Sequence, residues 1–186
     1  ITSEVLDKKP ADFENITSAV EKLAAKYDVN FQIEQYLDLG VNLLIDGKKA
    51  GTITELDSPV EFTIAIPEEV QKVAKTYFII RNHENTDGNI ETSVISPKVN
   101  ADGTLTFTTD RFSTYALAYT SEEIKENIDQ SGSGWIDVDD IKDDTPGQNG
   151  NVSDKTDTGS SKTGDDSNII VWAVLILAAG AGVVAS

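Results

Sequence analysis

Cysteine is absent from this chain, and histidine occurs once, as His83. The first absence excludes thiol catalysis, disulfide staples and cysteine-based zinc sites. The second leaves any Ser–His–Asp arrangement with a single candidate base, and no Gly-x-Ser-x-Gly elbow is present to hold a nucleophile. His83 lies in "RNHENTDGN" and reads as a hydrogen-bonded histidine of a turn. Basic residues are scarce, 15 Lys and Arg against 32 Asp and Glu, for a net charge of −17. Nucleic acids and anionic lipid surfaces are recognised mainly through Lys and Arg, so that balance repels both. There is no glycine-rich phosphate loop and no basic–aromatic stripe. The acidic stretches do not make calcium loops. Asn85, Asp87 and Gly88 imitate the start of one, but its twelfth position falls on Val94 rather than a bidentate Glu. "DVDDIKDD", with Asp137, Asp139, Asp140, Asp143 and Asp144, has no glycine-centred turn in register and reads as a solvated charge run. These exclusions predict a protein that is not an enzyme and that takes no cofactor and no metal.

What the chain does contain falls into four zones. Residues 1–28 form an N-terminal helical segment. Phe13, Ile16, Val20, Leu23, Ala24 and Tyr27 recur at spacings of three and four and share one face. Pro10 suits a first turn, with Asp12 and Glu14 at the positive end of the dipole. Residues 29–120 change period. "SPVEFTIAIP" alternates Val60, Phe62, Ile64 and Ile66 inward, bracketed by Pro59 and Pro67. Asp46-Gly47 predicts a two-residue hairpin. Further turns are expected at Asn85–Gly88 and at Asp102-Gly103, a short helix at "EEVQKVA", and a closing strand "STYALAYT" with Tyr115, Leu117 and Tyr119 on one face. The pattern predicts a mainly β fold, an antiparallel β-sandwich of seven or eight strands behind one amphipathic helix.

Residues 121–168 carry 4 basic and 13 acidic residues, and Gly, Ser, Asp, Asn and Thr dominate from Ser131 on. Trp135, Ile136 and Val138 are the main apolar exceptions. So little apolar surface predicts a disordered acidic linker, a spacer of roughly 35–40 Å between Ser121 and Thr163. Residues 169–186 are hydrophobic, inside a charge-free run from Ser167 to Ser186. As a helix that run would be about 30 Å long, the thickness of a bilayer core. It reads as a transmembrane helix, with membrane contact through 169–185 and Trp172 at the interface. Ala178 and Gly182 have the spacing of a weak helix–helix contact. The chain begins at Ile1 without a visible signal peptide and ends without a basic flank after Ser186. It therefore reads as a fragment or processed form of a longer protein.

The residues between linker and span carry a resemblance. Ser161, Lys162, Thr163, Gly164 and Asp165, followed by a few polar residues and then the span, resemble the sortase cell-wall sorting signal of Gram-positive surface proteins. The leucine and proline positions of that pattern fall here on Ser160 and Ser161. The resemblance implies that a sortase cuts between Thr163 and Gly164. It further implies that the Thr163 acyl group passes to an amine of peptidoglycan while the span holds the chain at the membrane. Thr163 would then be an electrophile in a sortase substrate. A second resemblance covers residues 30–120, most specifically residues 104–119, "TLTFTTDRFSTYALAY". It is similar to membrane-proximal modules near the C-terminal end of surface proteins in anaerobic Gram-positive bacteria. That implies a stalk β-domain, with Phe112, Tyr115 and Leu117 in its core and Asp110-Arg111 pairing or capping at the strand entrance. A Lys–Asn isopeptide staple of the kind such domains carry is not expected, because "STYALAYT" contains no asparagine.

The function expected from sequence is a noncatalytic, membrane-proximal, extracellular region. It would space and anchor an upstream functional part at the cell wall, with sortase and peptidoglycan as partners. The alternative is a membrane-anchored binding module for a carbohydrate or host protein, with Tyr36, Tyr77, Tyr115 and Tyr119 as candidate contacts. A GPI-type signal near Gly159–Ser161 also matches in outline, but the absence of cysteine and the character of the β-domain fit a Gram-positive wall protein better.

Overall fold

A computed structural model describes residues 2–141. The chain is mainly β, as the alternation predicts. It contains ten strands in two antiparallel sheets, with one main helix among the described residues. The strands are β1 (Thr2–Leu6), β2 (Gln32–Ile45), β3 (Lys48–Ile53), β4 (Glu55–Ala65), β5 (Thr76–Glu84), β6 (Ile90–Ile95), β7 (Lys98–Val99), β8 (Thr104–Arg111), β9 (Thr114–Thr120) and β10 (Ile136–Asp137). The helices are α1 (Phe13–Tyr27) and the short α2 (Glu68–Val73). The larger sheet runs β1-β2-β9-β5-β6-β10, with β3 also paired to β2, and the smaller runs β4-β8-β7.

The two sheets face each other across one apolar core. Leu37, Leu39, Ile79, Ile95, Tyr115 and Leu117 of the larger sheet pack with Val60, Phe62, Ile64, Leu105 and Phe107 of the smaller. The inward positions expected from "SPVEFTIAIP" are thus the ones buried. The other face of the larger sheet is also covered. Ile16, Ala19 and Leu23 of α1 pack there against Tyr36, Phe78, Ile80, Val94, Ala116 and Ala118. A strand covered on both sides reads as a continuous apolar run instead of an alternation. This accounts for "TYFIIRNH", where all eight residues from Thr76 to His83 are buried. α1 runs Phe13–Tyr27 and is capped by Asp28, whose own N–H donates to the Ala24 carbonyl and whose left-handed φ of 53° brings the Val29 N–H to the same carbonyl at 3.3 Å. The helix stripe predicted from spacing is its packing face.

Asn82 ties the start of α1 to the sheet. Its Nδ2 donates to the Asp12 carbonyl and to Asp12 Oδ2, both at 2.9 Å, and its Oδ1 accepts from Thr92. Asn82 is 1% exposed. Asn82→Ala is expected to cost about 1–2 kcal/mol in urea unfolding, the net value of hydrogen bonds whose partners can still find water. An unchanged midpoint would show that α1 is held by its apolar face alone.

The turns fall where the sequence places them. Asp46 and Gly47 both have positive φ, 52° and 76°, and join Ile45 to Lys48 as a two-residue hairpin. Gly88 closes the Asn85 turn and Gly103 the Asn100 turn, each through its N–H.

Two expectations are corrected. The N-terminal zone is not helical from its start, because Thr2–Leu6 pairs with Gly40–Tyr36 as an edge strand. The loss of order expected from Ser131 does not hold for residues 131–141. Ile136 and Asp137 pair with Val94 and Ser93. Trp135 joins the inter-sheet core and Val138 the helix-side core. A 3-10 turn, Val138–Asp140, follows, with Asp137 accepting the Asp139 N–H. Residues 131–141 thus form a strap across the open seam between β6 and β8.

Candidate functional site

The seam and its strap are the most elaborate polar arrangement among the described residues. Side chains at one end of β5 face the gap between the sheets. Arg81, 5% exposed, donates from Nε to Ser93 on β6 at 3.2 Å and from Nη1 to Thr109 on β8 at 3.0 Å. Its guanidinium lies 4.2 Å from the centre of the Trp135 ring and 3.5 Å from Asp110 Oδ1. One side chain therefore joins the larger sheet, the smaller sheet and the strap. Guanidinium suits this place because it is planar, weakly hydrated and stacks on an indole face. Burial lowers the pKa of Arg81 from its ordinary value, while Tyr115 and Asp110 oppose that shift.

Trp135 fills the end of the inter-sheet core. Its ring meets Phe107 and Tyr115 edge to face at centroid distances of 6.2 and 6.1 Å. Its Nε1 donates to the Thr108 carbonyl at 2.7 Å. Gly132 stitches the seam on both sides. Its N–H donates to the Ser96 carbonyl at 3.2 Å, and its carbonyl accepts from the Thr108 N–H at 2.9 Å. At φ +74° a Cβ on residue 132 would lie 2.4 Å from the Thr106 carbonyl oxygen, so only glycine fits. On the helix side Lys22 donates to Asp139 at 2.7 Å and to the Val138 carbonyl at 3.2 Å.

Beneath the strap, Tyr115 is fully buried, hydrogen-bonded to Thr109 at 2.9 Å and donating to the Arg111 carbonyl. Burial pushes its pKa up from 10.0 to about 12. The neutral phenol is the form the fold holds, so its contribution is complete below pH 10 and drains away as pH rises from 10 toward 12. Stability measured across that window should fall, and Tyr115→Phe should flatten the fall. An equal slope in Tyr115→Phe would place the alkaline sensitivity elsewhere, since burial also raises Tyr27, Tyr36 and Tyr77.

Next to this cluster, Glu91 accepts from Asn85 at 3.0 Å and from Arg111, and these two bonds hold its carboxyl below the usual range. Asp110 and Arg111 therefore do not pair with each other; Asp110 meets Arg81 and Arg111 meets Glu91. His83 is not a turn residue. It sits inside β5, 1% exposed, with Nε2 2.9 Å from Glu55 and no partner on Nδ1. A His–carboxylate pair needs a nucleophile on the other ring nitrogen to act in acyl transfer, and Nδ1 meets none among the described residues.

The remaining sequence-derived candidates divide as follows. Phe112, Tyr115 and Leu117 are core, as expected. Tyr36 and Tyr77 are 9% and 6% exposed, and the Tyr119 hydroxyl donates to Gln32. None of these tyrosines offers an open platform for a sugar. Ser161, Lys162, Thr163, Gly164, Asp165 and Trp172 lie outside the described residues, as do Asp143 and Asp144. Among the described residues no helix is long and apolar enough to cross a membrane. Sequence reasoning passed over the Arg81–Trp135 clamp. Its one visible signal is an indole flanked by Gly132 and Gly134 in an otherwise polar run. No family model matches the chain, and no curated protein or solved structure matches it either.

Proposed function

We propose that this chain is a noncatalytic, extracellular, membrane-proximal stalk region that a sortase transfers to peptidoglycan by cutting between Thr163 and Gly164. The observation that carries the proposal is an order of segments: a β-domain, an acidic run, Lys162-Thr163-Gly164-Asp165, then the charge-free stretch Ser167–Ser186. Each segment is common alone, and their succession is not. The charge-free stretch holds the substrate at the membrane, the motif presents the Thr163 carbonyl to the sortase thiolate, and the acidic run gives it reach. The strapped core suits a spacer. Its charged groups near the seam are spent on one another, and its most buried side chains serve packing. Cells making the protein should release it with a muramidase and not with detergent alone. Recovery only in detergent would overturn the sorting step.

A membrane-anchored binding module is the second reading. One observation favours it. The β2–β3 hairpin exposes Leu43, Leu44 and Ile45 at 46%, 60% and 59%. An apolar arm of that kind suits a protein partner better than a glycan, which aromatic platforms would serve.

A further inference from the structure

The pairing directions place the two ends of the described chain toward one end of the larger sheet, on its opposite edges. β1 is antiparallel to β2, while β10 runs in the same sense as β2 and β5, four antiparallel steps from β2 and two from β5. Thr2, at the start of β1, and Asp137, at the end of β10, therefore lie at the same end of the larger sheet and on its opposite edges. Across the sheet five strand spacings separate them, roughly 24 Å at 4.8 Å each, and the registers set Asp137 level with Val5, three residues along from Thr2. A load applied through both ends pulls across the strands. Across-strand load opens ladder bonds one after another, whereas load along the strands would stress them together.

The two edges are not equally held. β1 has five register pairs with β2, and β10 has two with β6. The outermost contacts of the strap are Ile141, partly buried against the helix-side core, and the Lys22–Asp139 ion pair, whose side chains are 41% and 93% exposed. An exposed pair of this kind contributes little. Behind it come Val138, then β10, then Trp135 and Gly132. The residues leading back to β9 add the partly buried Ile124 and Ile128, two hydrogen bonds from Asn30 to Glu122 and the exposed Lys75–Glu123 pair. Cooperative units with few buried contacts open first.

We infer that residues 131–141 are a tension-released latch. Load on the chain beyond Ile141 peels the strap off the β6–β8 seam before either sheet opens, lengthening the stalk and uncovering Arg81 and the end of the inter-sheet core. The inference rests on the proposed wall linkage, which would make residue 141 the loaded side. Its geometry, however, belongs to the isolated chain. On release of load, Trp135 and Gly132 reseat, because the sheets beneath them remain folded.

Single-molecule pulling tests it on the full chain in detergent. One handle goes at the amino end and the other on a cysteine introduced by Asp143→Cys, the only thiol present. An early reversible extension of between about 35 and 70 Å is expected before the main rupture, for release of residues 131–141 or 121–141 at ~3.4 Å per residue. With the second handle moved to Ser121→Cys, the early step should disappear and the main rupture remain. In Gly132→Ala with the Asp143→Cys handle, the early step should be lost or fall to lower force. Persistence of the early step with the Ser121→Cys handle would assign it to β1 and overturn the latch. A single rupture from the Asp143→Cys handle would overturn it too. An unsorted protein would leave these records unchanged, so failure of the wall-linkage proposal is read separately, in cell fractions.

Discussion

Gly132→Ala is expected to detach the strap while leaving the two sheets folded, at a cost of about 3 kcal/mol. The added methyl meets the Thr106 carbonyl oxygen at 2.4 Å, and the residue must hold φ +74°. Backbone oxygen cannot move aside as a side chain can, so the clash is not relieved locally. The left-handed backbone adds its own penalty for an L-residue. What bounds the loss is that the strap can leave. Once residues 131–141 come away, the strain vanishes and only the strap's own contribution is forfeited. That contribution is dominated by Trp135, and removing a packed Trp costs about 3–5 kcal/mol. Trp135 keeps part of its surface in water, which sets the lower figure. The same ceiling predicts strong non-additivity. Trp135→Ala should cost about as much as Gly132→Ala, and the double variant little more than either. Urea titrations followed by circular dichroism check this, with Trp135 emission shifting to the solvent-exposed range in Gly132→Ala before global unfolding. Additive losses would mean that Gly132 and Trp135 are not parts of one unit.

The second large effect concerns residues whose role is proposed from sequence. Deleting Lys162–Asp165 should move the protein almost entirely, at least about tenfold, out of the muramidase-released fraction and into the detergent-released one. Such a deletion removes the scissile peptide, so no compensating contact can restore the reaction. Gly164→Val should act in the same direction by crowding the leaving residue. Ser161→Pro should act in the opposite one, increasing the wall-linked fraction. A proline at that position fixes φ near −65° and prepays part of the entropy of binding a kinked peptide. If the deletion left the wall-linked fraction unchanged, attachment would not proceed through Thr163. If Ser161→Pro changed nothing while the deletion abolished attachment, cutting would stand and the proline position would be immaterial to it.

Particular elements show how far sequence carried the fold. The alternation at Val60, Phe62, Ile64 and Ile66 and the periodic stripe of α1 were legible because each depends on a pattern within a few residues. The Asp46-Gly47 hairpin was legible for the same reason, since the two positive φ values belong to those two residues. β1 was not, because five residues at a sheet edge offer too short a pattern to outweigh the helix signal beside them. His83 was misplaced for a related reason. Polar residues usually mark a turn, but β5 stays buried on both faces through Arg81, Asn82 and His83 by giving each a partner on another element. The strap was least legible. Its local composition is that of a flexible run, and its order comes from Thr108, Ser96, Arg81 and Lys22, which lie 24 to 117 residues away in sequence. The clamp has the same origin. A buried Arg and an isolated Trp each look like an exception until the fold brings them within 4.2 Å.

The central claim is covalent transfer through Thr163. Its most direct measurement is mass spectrometry of the C-terminal peptide from protein solubilised by muramidase. The account predicts a peptide that ends at Thr163 and carries the mass of a peptidoglycan stem fragment, with nothing from Gly164 onward. A C-terminal peptide that runs intact through Lys162-Thr163-Gly164-Asp165 into the hydrophobic stretch would contradict it.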